Sequence, residues 1–251
     1  MRPVLFKILG TNVYGYGMMI AIGICFALVL LRYRAKKRGY DEDSILNMSI
    51  ISIITGILGG KLLYILTEIK NIVSNINILK DIGSGFVIYG AILGGALGIV
   101  FYSKKKRWNL LKVFDLVAPT VILAQGFGRI GCFLAGCCYG KETALPIGVD
   151  FGNSLFAPSG IMRHPTQLYS SFFDFMVAFF LLYYDRKERS DGKVFSLYVI
   201  LYSIGRFFIE FLRDDPRGNV GIFSTSQFIS IFALIFGVIL YNISKFKSKS
   251  I

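Results

Sequence analysis

The sequence predicts an all-α integral membrane protein with seven transmembrane helices, N-terminus outside and C-terminus inside, with a small irregular outer-face cap. Three observations carry that expectation. The 251 residues are 54% hydrophobic and only 17% charged, with mean hydropathy +0.60, against about a quarter charged in an average soluble domain. The apolar residues are grouped in blocks of about 20 or slightly fewer, the length that a bilayer-spanning helix needs. Loops rich and poor in Lys and Arg alternate along the chain, as the excess of these residues on the cytoplasmic side requires. An ordinary soluble enzyme is thereby excluded, and residues 1–251 read as a single polytopic membrane domain.

The spans, in order, are 16–31, 47–66, 86–103, 113–127, 167–184, 194–212 and 222–241. The first apolar block starts after Asn12 and runs into a basic cluster with no small-residue cleavage site, so no cleavable signal peptide is expected. The second and third carry Gly56-Ile-Leu-Gly59-Gly60 and Gly90-Ala-Ile-Leu-Gly94-Gly95-Ala-Leu-Gly98. Such spacing marks faces where helix backbones approach closely inside a membrane. The longest polar segment, the 128–166 cap, follows the fourth span. Its Gly, Pro and alternating stretches, such as Pro146-Ile-Gly-Val-Asp-Phe151, predict two short strands.

The net charge of +13, from 28 Lys and Arg against 15 Asp and Glu, would point to nucleic acid in a soluble protein. No stretch here is long or polar enough to carry a basic patch, so no nucleic-acid partner is expected. Segments 32–43, 104–112, 185–193 and 245–249 hold 17 basic residues, segments 1–13, 67–85, 128–166 and 213–221 hold 9, and Lys61 and Arg206 lie inside spans. The rich set is placed inside and the poor set outside.

Ionisable side chains inside a bilayer are costly and are functional candidates by default. Span six contains Tyr202, Arg206, Glu210 and Arg213 at steps of four, four and three, on one helical face. An Arg206–Glu210 pair either glues helices together or presents the Arg206 guanidinium to an anionic headgroup. Arginine suits the second task, because its planar fork binds phosphate oxygens bidentately and keeps its charge when desolvated. Arg129 follows span four in Gly126-Phe-Gly-Arg-Ile-Gly131, where the glycines permit tight turns and close backbone approach to a ligand. It is either an interfacial snorkelling residue or the second arm of a phosphate clamp. His164, the only histidine, precedes Gln167 and Tyr169 at the start of span five and is a structural residue, a general base or an orienting donor.

Cys25 lies in apolar span one and reads as packing, whereas Cys132, Cys137 and Cys138 fall on the outer side, where disulfides persist. Together with His164 they form a formal ligand set, but Cys-x4-Cys-Cys lacks the paired two-to-four spacing of zinc sites. No metal site and no cofactor are predicted. A structural disulfide or buried thiols are expected instead, with a vicinal Cys137–Cys138 pair strained.

The stretch Gly128-Arg-Ile-Gly-Cys-Phe-Leu-Ala-Gly-Cys-Cys-Tyr-Gly140 resembles the signature of the prolipoprotein diacylglyceryl transferase family of bacterial membranes. The resemblance extends along the chain through Tyr14-Gly-Tyr16-Gly, Gly59-Gly60-Lys61-Leu-Leu-Tyr64, Tyr89-Gly-Ala-Ile-Leu-Gly94, His164-Pro-Thr-Gln-Leu-Tyr169 and Tyr202 to Arg213. Where this chain has Cys132, Ala135 and Cys137, the family commonly has Asn, Asn and an acidic residue, and some members have His at the place of Tyr89.

The resemblance implies a transferase that moves the diacylglyceryl group of phosphatidylglycerol to the lipobox cysteine of preprolipoproteins, releasing glycerol 1-phosphate. It implies a bacterial cytoplasmic membrane location, multi-pass, with the active site toward the outer face. The partners are then phosphatidylglycerol, lipobox signal peptides and membrane lipids. The expected catalytic residues are Arg129, Arg206, His164 and Tyr89. The expected substrate site comprises Arg129, Tyr16, Gly131, Gly140, Gln167, Tyr202 and Glu210, with Glu210 and Tyr202 orienting Arg206. The cysteine replacements leave room for a paralogous transferase with another acceptor, or for a non-enzymatic lipid-binding or thiol-redox protein.

Overall fold

In the computed structural model the described residues are 4–8, 10–74, 85–152, 154, 156–215 and 218–247. Much of segment 67–85, expected on the outer side, and part of the basic cluster 245–249 lie outside them. The fold is mostly helical. Helices run α1 Gly15–Lys37, α2 Glu42–Thr67, α3 Ile69–Ser74, α4 Ile88–Lys105, α5 Leu110–Ala135, α6 Thr166–Tyr184, α7 Lys193–Ile209 and α8 Thr225–Lys247. Three two-stranded antiparallel ribbons accompany them: β1 Val4–Ile8 with β2 Thr11–Tyr14, β3 Val149–Asp150 with β4 Met162–Arg163, and β5 Asn219–Val220 with β6 Phe223–Ser224.

Among the described residues, five helices are long and apolar enough to cross a membrane: Gly15–Lys37, Glu42–Thr67, Leu110–Ala135, Lys193–Leu212 and Thr225–Ser244. The predicted third and fifth spans are helices too, α4 and α6. They are shorter, at 18 and 19 residues; glycines dilute the hydropathy of α4, and Thr166, Gln167, Ser170, Ser171 and Asp174 that of α6.

The chain divides into two compact units, one of Arg32–Val113 and one of Met1–Leu31 with Phe114–Ile251. In the first, the predicted glycine faces of α2 and α4 meet. A Cβ on Gly59 would collide with the Gly90 carbonyl, one on Gly90 with the Gly59 carbonyl, and one on Gly94 with the Thr55 carbonyl. The missing side chains let Ser52 Oγ donate to the Gly95 carbonyl at 3.0 Å across the seam. Asp41 caps α2, accepting from the Ser44 N–H at 2.8 Å. That contact holds its carboxyl below the usual carboxylate range. Trp108 packs against Tyr40 and Tyr102, so the basic segments 32–43 and 104–112 share one end of this unit.

The second unit has its core at Ile122, Val177, Ala178, Leu181 and Val194, from α5, α6 and α7. Asp115, buried in the first turns of α5, accepts from the Gly192 N–H at 2.6 Å and the Phe195 N–H at 2.7 Å. It therefore supplies the start of α7 with the acceptor that its own cap residue, Gly192, lacks, and it sets a negative charge at a helix N-terminus. An Asp115→Ala protein is expected to lose of order 2–4 kcal/mol, since two backbone donors are left unpaired. Thermal unfolding in detergent checks this, and a melting temperature equal to that of the parent would refute it. Tyr184 and Tyr241 meet at 3.5 Å at this same end.

The structure corrects several sequence expectations. The glycines around Arg129 form no turn: α5 continues through them to Ala135, because Gly126 admits the Phe175 ring and Gly131 admits the backbone of Tyr16. The irregular segment thus begins at Gly136, not at 128, and it contains the expected pair of strands, β3 and β4. Span seven was expected from 222, but residues 223–224 form β6. The helix starts at Thr225 because Ser224 and Gln227 make a reciprocal capping box, at 3.2 and 3.1 Å. The β1–β2 ribbon before α1, turned at Gly10 with φ 80°, was not anticipated. Cys25, expected in packing, faces outward from its helix.

Candidate functional site

Helices α5, α6 and α7 enclose a cavity of about 570 Å³, within the range that holds small ligands. Its walls are mostly apolar, with Leu168, Phe172, Phe173, Met176, Phe208 and Ile209. Its polar lining comes from Gln125 and Arg129 of α5, Tyr169, Ser170 and Asp174 of α6, and Tyr202 and Arg206 of α7. The two arginines singled out by sequence therefore reach one space from different helices.

They are held differently. Arg206 donates to Ser226 Oγ at 2.7 Å and pairs with Glu210 at 2.9 Å. Glu210 is buried, accepts from Ser224 Oγ at 2.9 Å, and also lies 3.8 Å from Arg213. Arg213 in turn grips Asp215 with both arms, at 2.9 and 2.7 Å. The helix tightens to a 3-10 turn over Glu210–Leu212, which brings the carboxylate between the two cations. Among the described residues, no hydrogen bond or ion pair holds the Arg129 guanidinium. Its charged and ionisable neighbours are Tyr202, Cys132, Cys138 and Asp174.

Asp174 is a site residue that the sequence reading missed. It is 2% exposed, accepts from Gln125 Nε2 at 3.0 Å, and lies within electrostatic reach of both Arg129 and Arg206. The signal was present: an acid inside Phe172-Phe-Asp-Phe-Met176 meets the same intramembrane criterion that picked out Arg206.

His164 does not line the cavity. Its Nδ1 sits 3.2 Å from the Tyr169 hydroxyl, and Tyr169 does line it, so the histidine communicates through one intervening side chain. Gln167, 1% exposed, is turned away to the 136–140 loop, where Nε2 donates to the Cys137 carbonyl at 2.7 Å. Gly140 accommodates the backbone of His164, which a Cβ would strike at 2.7 Å, and donates to its carbonyl at 3.0 Å. Tyr16 opens α1 beside Gly131 and shares the electrostatic neighbourhood of Arg129 and the three cysteines. Tyr89 stands half-buried in the first turn of α4, in the Arg32–Val113 unit.

All four cysteines are free thiols. Cys132, Cys137 and Cys138 bring their Sγ atoms within 4.8 Å of one another, with His164 outside the group. Hydrogen bonds from Cys132 and Cys137, and then the Arg213 and Arg129 cations, draw the Cys138 thiol well down, while bonding to its two neighbours and burial push Cys137 up.

Two arginines thus converge on one mostly apolar cavity in a protein built of long apolar helices. Residues 3–243 match the family described as prolipoprotein diacylglyceryl transferase. The chain is 64% identical over 249 residues to the phosphatidylglycerol–prolipoprotein diacylglyceryl transferase of Clostridium tetani, covering 99% of this chain and 100% of that one. It is 56% identical to phosphatidylglycerol–prolipoprotein diacylglyceryl transferase 2 of Clostridium perfringens, covering 99% and 98%. It is 34% identical to the enzyme of that name from Clostridioides difficile, covering 100% and 98%. The chain belongs to the prolipoprotein diacylglyceryl transferase family.

Proposed function

We propose that this chain transfers the diacylglyceryl group of phosphatidylglycerol to the lipobox cysteine of preprolipoproteins. The observation that carries the reading, beside the family, is the convergence of Arg129 and Arg206 on one apolar cavity. The cysteine thiolate attacks the sn-3 carbon of the lipid; a C–S bond forms, the C–O bond to phosphate breaks, and the phosphate leaves as glycerol 1-phosphate with the electron pair. Arg129, held by no hydrogen bond or ion pair among the described residues, meets the phosphate oxygens. Arg206, fixed by Glu210 and Ser226, stabilises the charge that develops on the leaving oxygen. Tyr202 lines the same space and helps orient Arg206. Asp174 balances the two cations, and Tyr16, beside Gly131, lines the lipid path. Gly131 and Gly140 serve by admitting neighbouring backbone.

All seven long helices cross the membrane in this reading, with α4 and α6 as its shorter spans. The shared end of segments 32–43 and 104–112, and the placing of Lys193 near Tyr241, at 5.8 Å to its ring, support a basic cytoplasmic side. The cavity then opens toward the outer face of the bacterial cytoplasmic membrane. Mass spectrometry of a lipobox peptide incubated with the purified protein and phosphatidylglycerol vesicles tests the reading. A gain of one diacylglyceryl unit is expected, and no gain with folded protein would overturn it.

His164 acts through Tyr169, as the organiser or proton acceptor of a relay. His164→Gln and Tyr169→Phe are each expected to slow transfer by about a hundredfold, and the double variant to be no slower than either. A His164→Gln enzyme with its full rate and an unchanged pH profile would place the base elsewhere.

A further inference from the structure

We propose that Cys132, Cys137 and Cys138 form a binding site for a soft, thiophilic d10 metal ion. The spacing of these cysteines looks wrong for a metal because it is read along an extended chain. Here the chain doubles back. Gly136, with φ 76°, ends α5, and its N–H and that of Cys137 both donate to the Cys132 carbonyl, at 2.9 and 3.2 Å. Cys138, at φ 62°, is in a left-handed conformation that side chains other than glycine rarely adopt. Two left-handed residues thus return the vicinal pair to the last turn of the helix that carries Cys132.

The loop is held from the start of α6: Gln167 Nε2 on the Cys137 carbonyl and Thr166 Oγ1 on the Cys138 carbonyl, both at 2.7 Å. Such outer contacts fix ligands before an ion arrives. Three thiolates bound to one zinc-sized ion, each at about 2.3 Å, stand roughly 4 Å apart, so sulfurs already within 4.8 Å need less than 1 Å of adjustment. All three thiols are partly accessible. Arg129 and Arg213 both face Cys138, favouring the thiolate that a metal requires.

Binding releases the protons of the thiols that still carry them. Three thiolates around a divalent ion carry one net negative charge, and Arg129 and Arg213 lie within electrostatic reach of it.

The test uses the full-length protein in detergent, reduced and freed of reductant, titrated with Cd2+. An ultraviolet thiolate-to-cadmium band saturating at one ion per chain is expected, retained in Cys25→Ser and lost in Cys132→Ser and Cys138→Ser. Cd2+ should also shield the three thiols of the unmodified protein from alkylation, read peptide by peptide, so that a variant failing to fold leaves the answer intact. No band, or equal alkylation with and without Cd2+, overturns the site.

Discussion

An Arg129→Ala protein is expected to lose transfer by about 10²–10³-fold while keeping its melting temperature. The two halves of that outcome come from one observation: the guanidinium enters the cavity, yet among the described residues it is held by no hydrogen bond or ion pair. Its removal breaks no hydrogen bond or ion pair among the described residues. Arg206→Ala should fall at least as far in rate and also lose stability, because buried Glu210 loses its counter-charge at 2.9 Å, Arg213 lying farther off at 3.8 Å. Arg129→Lys tests the geometry of the contact. A lysine keeps the charge but not the two-pronged fork, so a rate well below that of the parent is expected. Near-parent activity in either alanine protein, measured with phosphatidylglycerol vesicles and a lipobox peptide, would remove the arginines from the chemistry.

Gly59→Leu is expected to destabilise the Arg32–Val113 unit by of order 3 kcal/mol. The obstacle is backbone. A side chain on Gly59 meets the Gly90 carbonyl and, at 3.1 Å, the Gly94 Cα, and neither can rotate aside. Gly17→Leu is the control, since nothing lies within 4 Å of its added Cβ. Thermal unfolding of both proteins in the same detergent decides the matter; equal melting temperatures would mean that α2 and α4 can part without penalty.

These two predictions rest on features of unequal legibility. The glycine seam was readable because small residues at close spacing have one main use between membrane helices. The face of Tyr202, Arg206 and Glu210 was readable because helical periodicity fixes which side chains are neighbours. Periodicity is silent about what lies opposite, so it did not disclose that Ser224 and Ser226 complete the network around Glu210 and Arg206. Asp174 was hidden by its apolar neighbours, and Asp115 likewise, although each is an acid in an apolar run. Around Arg129 the glycines misled. Glycine serves both turns and close helix contacts, and only the positions of Phe175 and Tyr16 show which use applies. The thiol cluster depends on the reversal at Gly136, which linear spacing does not encode.

The Asp115 contact to Gly192 has a consequence for the two arginines. Arg129 lies fourteen residues beyond Asp115, and Arg206 fourteen beyond Gly192. At about 1.5 Å per residue, two parallel helices pinned at their feet carry the guanidinium-bearing positions to the same height, about 21 Å away. The carboxylate that caps α7 is thus also a levelling pin. It sets the two arginines level with each other, and one residue added to either helix above it would put them out of step by about 1.5 Å and a rotation of about 100°.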